Sequence, residues 1–168
     1  MVVRARLALG LRLDRTVLRE IRRELRRAEA LGKAGRTLAR RDVSEAGLRA
    51  RLQRRGVPPG AIGEAAETLR RVGVLDDERF ARNRARTLCD RGWGDEGIRA
   101  KLEAEGAPPA FADEAVATLP PEDERARRLV AGLAPRKAAA FLARRGFAAE
   151  IIESAIPALD ADAGTGLP

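Results

Sequence analysis

Three stretches of this 168-residue chain repeat one another. In each, a basic, leucine-centred segment ends on a glycine and a second apolar segment follows. The first two copies share Gly-x-Pro-Pro at a shift of 50 positions, and the third copy follows 40 positions later; the three glycines are Gly56, Gly106 and Gly146. Repeats of this size are typical of stacked helical arrays, in which each unit buries its apolar face against the next.

The composition favours helices throughout. Aromatic residues make up only 3% of the chain and Tyr is absent, so the core must come from Leu, Ala, Val and Ile, which suits close helix packing. Equivalent leucines, Leu52, Leu102 and Leu142, are expected in that core. We predict an all-α fold of three tandem three-helix repeats after a short basic N-terminal extension. The predicted helices are 27–40, 44–55, 59–72, 77–90, 94–105, 109–118, 122–132, 136–145 and 148–158.

The domain boundaries follow from the repeats. Residues 3–13 alternate apolar and polar side chains, which suits a strand or an extended arm. Asp14 is placed to cap a helix whose apolar face can continue through Leu38, beside a stripe of arginines. The divisions are 1–26 for a basic extension and helix, 27–75, 76–120 and 121–159 for the repeats, and 160–168 for a disordered tail.

Positive charge is concentrated at one end of the chain. The net charge is +8, yet residues 1–41 alone carry +9 and the remainder carries −1. This asymmetry points to a polyanionic partner such as nucleic acid or a nucleoprotein, and a role in docking or steering. The alternative is that many arginines simply solvate helix faces, since 30 of the 33 basic residues are Arg, as a coding bias would produce.

Several function classes find no support in the residues. There is no apolar run that could span a bilayer and no secretory signal pattern, so we expect a cytoplasmic protein with no membrane partner. With no His and a single cysteine, Cys89, the usual zinc sites and internal disulfides are excluded. No phosphate-binding loop or nucleophile–base pair is present, so we expect neither an enzyme, a small-molecule substrate, a metal nor another cofactor.

Two local features have competing interpretations. Asp76 and Asp77 could begin a metal site, but adjacent residues at a helix start point in different directions, and capping of the helix explains them better. Trp93, between Gly92 and Gly94, is expected to anchor a joint between helices rather than to stack on a base.

Four motifs resemble one known family. They are Leu38-Ala39-Arg40-Arg41-Asp42-Val43-Ser44, Leu75-Asp76-Asp77-Glu78-Arg79-Phe80-Ala81, Gly92-Trp93-Gly94, and Arg144-Arg145-Gly146-Phe147. Over residues 28–159 the chain resembles the RecX family, bacterial regulators of the RecA recombinase. The structural part of this signature comprises Asp76, Asp77, Phe80, Gly92, Gly94, Gly106 and Gly146.

The resemblance implies a fold and a function. The fold is a curved, elongated array, expected to be monomeric. It would lodge in the groove of the RecA filament on DNA, block filament growth, ATP hydrolysis and strand exchange, and so tune recombination, DNA repair and the SOS response. RecA is the expected principal partner and DNA a weaker, direct one. The candidate contacts are Arg40, Arg41, Arg49, Arg51, Arg54, Arg55, Arg99, Lys101, Arg144 and Arg145.

Two positions depart from the family pattern. Gly47 stands where an acidic residue would complete a capping box, which is expected to weaken one helix start. Gly97 stands where the family often has Arg or Lys, so we interpret it as the loss of one charge from the central repeat.

A different function remains open from the sequence. Three-helix units also resemble the arrangement from which helix-turn-helix DNA readers are built, so a helical protein that binds DNA without RecA is the alternative. The near-neutral charge of the repeats argues against it, because such a reader concentrates positive charge on its recognition helix.

Overall fold

The computed structural model describes residues 14–156, so the predictions for residues 1–13 and 157–168, including the end of the helix predicted at 148–158, lie outside the described part of the chain. Between those limits the chain forms nine α-helices and no strand, which confirms the all-α prediction. None of these helices is long and apolar enough to cross a bilayer. The helices are α1 (Arg15–Leu38), α2 (Glu45–Arg54), α3 (Pro59–Arg71), α4 (Asp77–Asp90), α5 (Asp95–Ala104), α6 (Pro109–Ala117), α7 (Glu122–Val130), α8 (Pro135–Arg144) and α9 (Ala149–Ala155).

The first helix is longer than the repeat pattern predicts. Asp14 caps its start, because one carboxylate oxygen accepts hydrogen bonds from the backbone N–H groups of Thr16 and Val17, both at 2.8 Å. From there α1 runs 24 residues without interruption. This agrees with the expectation that the apolar face continues through Leu38, since Gly32 and Gly35 lower helix propensity without breaking the hydrogen-bond ladder.

The repeat glycines end their helices in the predicted way. Gly56, Gly106 and Gly146 have φ of 72°, 88° and 69°, a region that other residues adopt only with strain. The next residue's N–H then reaches back to the carbonyl of Leu52, Leu102 or Leu142, at 3.1, 2.9 and 3.3 Å. This is the Schellman arrangement, which satisfies carbonyls that a helix end would leave unpaired.

The described chain separates into two compact units, one up to Asp76 and one from Asp77. In the first unit, α1, α2 and α3 pack around Leu48 and Leu52, which are fully buried. In the second, α4–α6 and α7–α9 each surround an apolar cluster, with Leu102 and Leu142 fully buried. The equivalent leucines thus lie in the cores as predicted, while the division into three repeat domains stays a prediction.

Candidate partner-binding surface

Two of the ten candidate basic side chains are paired with acidic groups of their own unit. Arg49 approaches Glu45 one turn earlier on α2 at 2.6 Å. Arg99 on α5 reaches Asp113 on α6 at 2.8 Å. Both guanidinium groups are partly exposed, so these pairs contribute at most about 1 kcal/mol each and remain open to exchange for a partner's acidic group.

Two further candidates, Lys101 and Arg145, surround Trp93. The Lys101 ammonium lies 3.8 Å from the centre of the indole ring, and the Arg145 guanidinium lies 5.9 Å from it. Arg145 also lies 4.7 Å from the ring centre of Phe141 and donates a hydrogen bond to the Arg91 carbonyl. Trp93 itself packs against the α4–α6 core. The two cations stabilise the Trp93 ring through cation–π contacts, and Lys101 already covers one face of that ring.

The remaining candidates differ in how much of the side chain is available. Arg51 is half-buried, and Arg55 is exposed and donates a 3.4 Å hydrogen bond to Thr37. Four arginines are exposed and form no ion pair with any residue between 14 and 156: Arg40, Arg41, Arg54 and Arg144. Arg54 touches only the carbonyl of Ala50 on its own helix, at 3.4 Å. These four are the candidates most open to an external anion.

A second basic surface, on α1, lies outside the predicted contacts. The structure places Arg19, Arg22, Arg23 and Arg26 beside the start of α3, where with Pro58, Gly60, Ala61 and Glu64 they line a groove of about 470 Å³. Arg23 is paired with Glu64 at 2.6 Å, and that hydrogen bond raises the pKa of the guanidinium. The signal in the sequence was the arginine spacing of three and four residues, which places side chains along one helix face.

Close backbone contact joins α5 to the loop between α8 and α9. The N–H groups of Gly94 and Gly97 donate hydrogen bonds to the carbonyls of Arg145 and Gly146, at 2.9 and 3.1 Å. A Cβ on any of the three glycines would lie within 3.0 Å of the facing backbone, a separation that real Cβ atoms essentially never show. The interpretation of Gly97 as a lost charge therefore missed its steric role.

A buried arginine completes this joint. Arg125 on α7 is only 6% exposed. It donates hydrogen bonds to the carbonyls of Pro120 and Trp93, at 3.0 and 2.9 Å, and is paired with the carboxylate of Asp95. We call the contacts of Arg125 and the three glycines the α5 joint. Arg125 was absent from the sequence predictions because nothing in the pattern of basic residues distinguishes it from its exposed neighbours.

Glu122 caps α5 from outside that helix. Its carboxylate accepts a 2.7 Å hydrogen bond from the N–H of Asp95, the first residue of α5. Burial raises the pKa of Glu122 above its ordinary value, and the hydrogen bond from Asp95 opposes that rise only in part. The N-cap residue of α5 is Gly94, which offers no side chain for a cap, so the cap comes from α7.

The family motif residues occupy structural positions. Asp77 lies in the first turn of α4, and Phe80 is buried in the α4–α6 core with 4% exposure. Gly92 has φ of 77° in the turn before Trp93. No group of three or more metal-binding side chains occurs among residues 14–156, Asp76 and Asp77 included.

Comparison with known proteins gives a consistent result. A family model described as "RecX, second three-helix domain" matches residues 76–116. The chain is 49% identical over 59 residues to a protein from Syntrophotalea carbinolica named "Regulatory protein RecX"; this match spans 35% of the chain and 39% of that relative's length.

Two solved structures share the fold. The crystal structure of RecX from Lactobacillus salivarius aligns with a TM-score of 0.72 at 19% identity, over 80% of this chain and 97% of that one. A crystal structure titled "regulatory protein RecX" aligns with a TM-score of 0.78 at 22% identity, over 90% and 83% of the two chains. The motif residues from Asp76 to Gly106 lie within the matched three-helix domain. The chain is therefore similar to RecX proteins over residues 76–116 and shares the fold of two solved RecX structures.

Proposed function

We propose that this protein regulates the RecA recombinase by binding RecA and its filament on DNA. In doing so it limits filament growth, ATP hydrolysis and strand exchange, and thereby modulates recombination, DNA repair and the SOS response in the cytoplasm. The match of residues 76–116 to the family model and the name of the relative, a regulatory protein, support this function. No chemistry by this chain is required, because occupying a filament surface is enough.

The observation that carries the proposal is the set of exposed candidate arginines that have no acidic partner among residues 14–156. Arg54 and Arg144 follow equivalent buried leucines, Leu52 and Leu142, by two positions, so each presents its guanidinium at the same point of its repeat. A guanidinium can form paired hydrogen bonds with a carboxylate of RecA or with a DNA phosphate. We therefore assign Arg54 and Arg144, together with Arg40 and Arg41, as the principal contacts.

The test is the single-stranded-DNA-dependent ATPase of RecA from the same organism, at moderate salt. The protein is added well below one copy per RecA, and we expect substoichiometric inhibition. The double charge reversal Arg54→Glu with Arg144→Glu should raise the concentration for half inhibition by at least tenfold. Arg128→Glu is the matched control, since Arg128 is exposed and bonded only to a carbonyl of its own helix.

DNA binding by the free protein separates this function from the alternative. Contacts dominated by phosphates weaken steeply with salt. Inhibition of RecA that persists at a salt concentration where naked-DNA binding has been lost supports a direct contact with RecA. Absence of inhibition, with intact DNA binding in a parallel gel-shift measurement, would instead establish the RecA-independent DNA-binding protein.

A further inference from the structure

The first half of α1 exposes leucines on the side opposite its own core. Leu25 is 63% exposed and Leu18 is 36% exposed. Residues seven apart share a helix face, so the two leucines form one stripe, and Ile21 lies beside it. Residues nine apart lie on opposite faces at 100° per residue, and Ala34, nine positions after Leu25, is fully buried. The stripe therefore points away from the first unit.

Arginines flank this stripe on a segment that is strongly positive. Residues 15–27 contain six Arg and two Glu. Arg23 and Arg27 turn towards α3, where they contact Glu64 and Thr68. Arg15, Arg22 and Arg26 are exposed along one edge of the stripe and form no ion pair with an acidic residue of the described chain. Arg22 and Arg26 also reach the groove between α1 and α3, whose lining includes Glu64. We call Leu18, Ile21 and Leu25 with these three arginines the outward face of α1.

The outward face has a defined length. Leu18 and Leu25 are about 10.5 Å apart along the helix axis, at 1.5 Å per residue. At the C-terminal end the stripe meets Glu29, whose carboxylate is held by Lys33 at 2.7 Å; this hydrogen bond lowers the pKa of Glu29. The apolar and positive character therefore belongs to two to three turns of α1.

We propose that the outward face of α1 binds an acidic, leucine-bearing helical segment of a partner protein. Such a segment can place its own apolar residues against Leu18 and Leu25 while its carboxylates reach the flanking arginines, as amphipathic helices do in groove recognition. Electrostatic complementarity selects an acidic partner. A nucleic acid backbone would use the arginines but would leave the leucine stripe exposed to water. The proposal does not depend on whether that partner is RecA.

The test measures fluorescence anisotropy of a labelled 18-residue peptide with the full-length protein. The peptide places Leu at alternating steps of three and four and Glu at the flanking positions; a permuted peptide has the same composition without this spacing. We expect the ordered peptide to bind at least tenfold more tightly. Leu18→Gln with Leu25→Gln, and separately Arg22→Glu with Arg26→Glu, should each weaken that binding at least tenfold.

The control variants keep the result interpretable. Leu133→Gln changes a leucine that is 44% exposed in the second unit and should leave peptide binding unchanged. Gln is a good helix former, so the leucine variants should retain the wild-type circular dichroism spectrum. Binding of a 20-nucleotide single strand should also be unchanged in the leucine variants.

Four outcomes would overturn the proposal. If the ordered peptide does not bind, the outward face of α1 does not recognise an acidic, leucine-bearing helix. If the permuted peptide binds as tightly as the ordered one, binding is due to charge alone and does not depend on the leucine spacing. Loss of single-strand binding in the leucine variants assigns the face to nucleic acid. Sedimentation that shows a dimer in the wild type and a monomer in the leucine variants assigns the face to a second copy of this chain. The ATPase measurement with Arg54 and Arg144 variants tests the regulatory function separately.

Discussion

Gly97 lacks a side chain for a reason that lies 48 residues further along the chain. Its Cα faces the backbone of Arg145 and Gly146, and its N–H donates to the Gly146 carbonyl. Because the obstructing atoms belong to backbone, they cannot rotate aside as a side chain would. The position therefore tolerates glycine alone without displacement of the joint.

Replacement of glycine by alanine is expected to have opposite effects on stability at Gly97 and at Gly63. Gly97→Ala should destabilise the second unit by about 1–3 kcal/mol, as overpacking typically does. Gly63→Ala should stabilise the first unit by about 0.5–1 kcal/mol, because Gly63 lies inside α3 and an added Cβ there meets nothing within 4 Å. Calorimetric unfolding of both variants checks this; equal effects at the two positions would contradict the close contact.

The raised pKa of Glu122 predicts a pH-dependent difference in stability. Because the folded state binds the proton more tightly than the unfolded chain, this contribution to stability is complete below pH 4.5 and is lost as the pH rises through the folded pKa. In Glu122→Gln the amide oxygen can still accept from the Asp95 N–H, without a charge to desolvate. The free energy of unfolding of Glu122→Gln minus that of wild type should therefore rise from pH 4 to pH 7.

Chemical denaturation across that pH range measures the difference. Glu124→Gln is the matched control, because Glu124 is exposed on the same helix. A flat difference for Glu122→Gln, equal to that of the control, would contradict the assignment of a buried cap.

At the scale of elements, both ends of each helix from α2 to α8 could be placed from sequence to within two residues. Their limits are encoded locally: glycines with positive φ end α2, α5 and α8, and Pro59 and Pro109 occupy the first turns of α3 and α6. The continuity of α1 follows from the apolar face that runs past Gly32 and Gly35 to Leu38, because two weak helix formers are tolerated when the flanking residues pack well. The sequence alone does not show which residue of another helix caps a given helix start, as Glu122 of α7 does for α5.

Arg125 is one such tertiary contact that the sequence alone does not reveal, and it joins α7 to the start of α5. Arg125→Met should remove the bonds to two carbonyls and leave the Asp95 carboxylate without its partner, at a cost of about 3–5 kcal/mol. Arg128→Met on the same helix should change stability by less than about 0.5 kcal/mol. Urea unfolding followed by circular dichroism measures both; a cost for Arg125→Met below 1 kcal/mol would show that the joint does not depend on this arginine.

At the scale of the whole molecule, the excess positive charge predicted a basic N-terminal region, but counting charges could not show which cations remain available. Arg99 and Arg54 look alike in sequence, yet Arg99 is paired with Asp113 while Arg54 is exposed and has no acidic partner in the described part of the chain. Lys101 and Arg145, which were predicted as contacts, also pack on aromatic rings. Pairing of this kind depends on tertiary distances, which is why sequence identified the fold better than the surface.

The α5 joint also constrains how this chain can be recombined with its relatives. Its glycines lie in two segments, one at Gly94–Gly97 and one at Gly146, and Arg125 lies between them in sequence. A chimaera in which only residues 121–156 come from a relative combines that relative's residues at positions 125 and 146 with this chain's own Gly94 and Gly97. Grafts cut near residue 76 keep both sides together. Viable hybrids should therefore inherit the second and third repeats as one block.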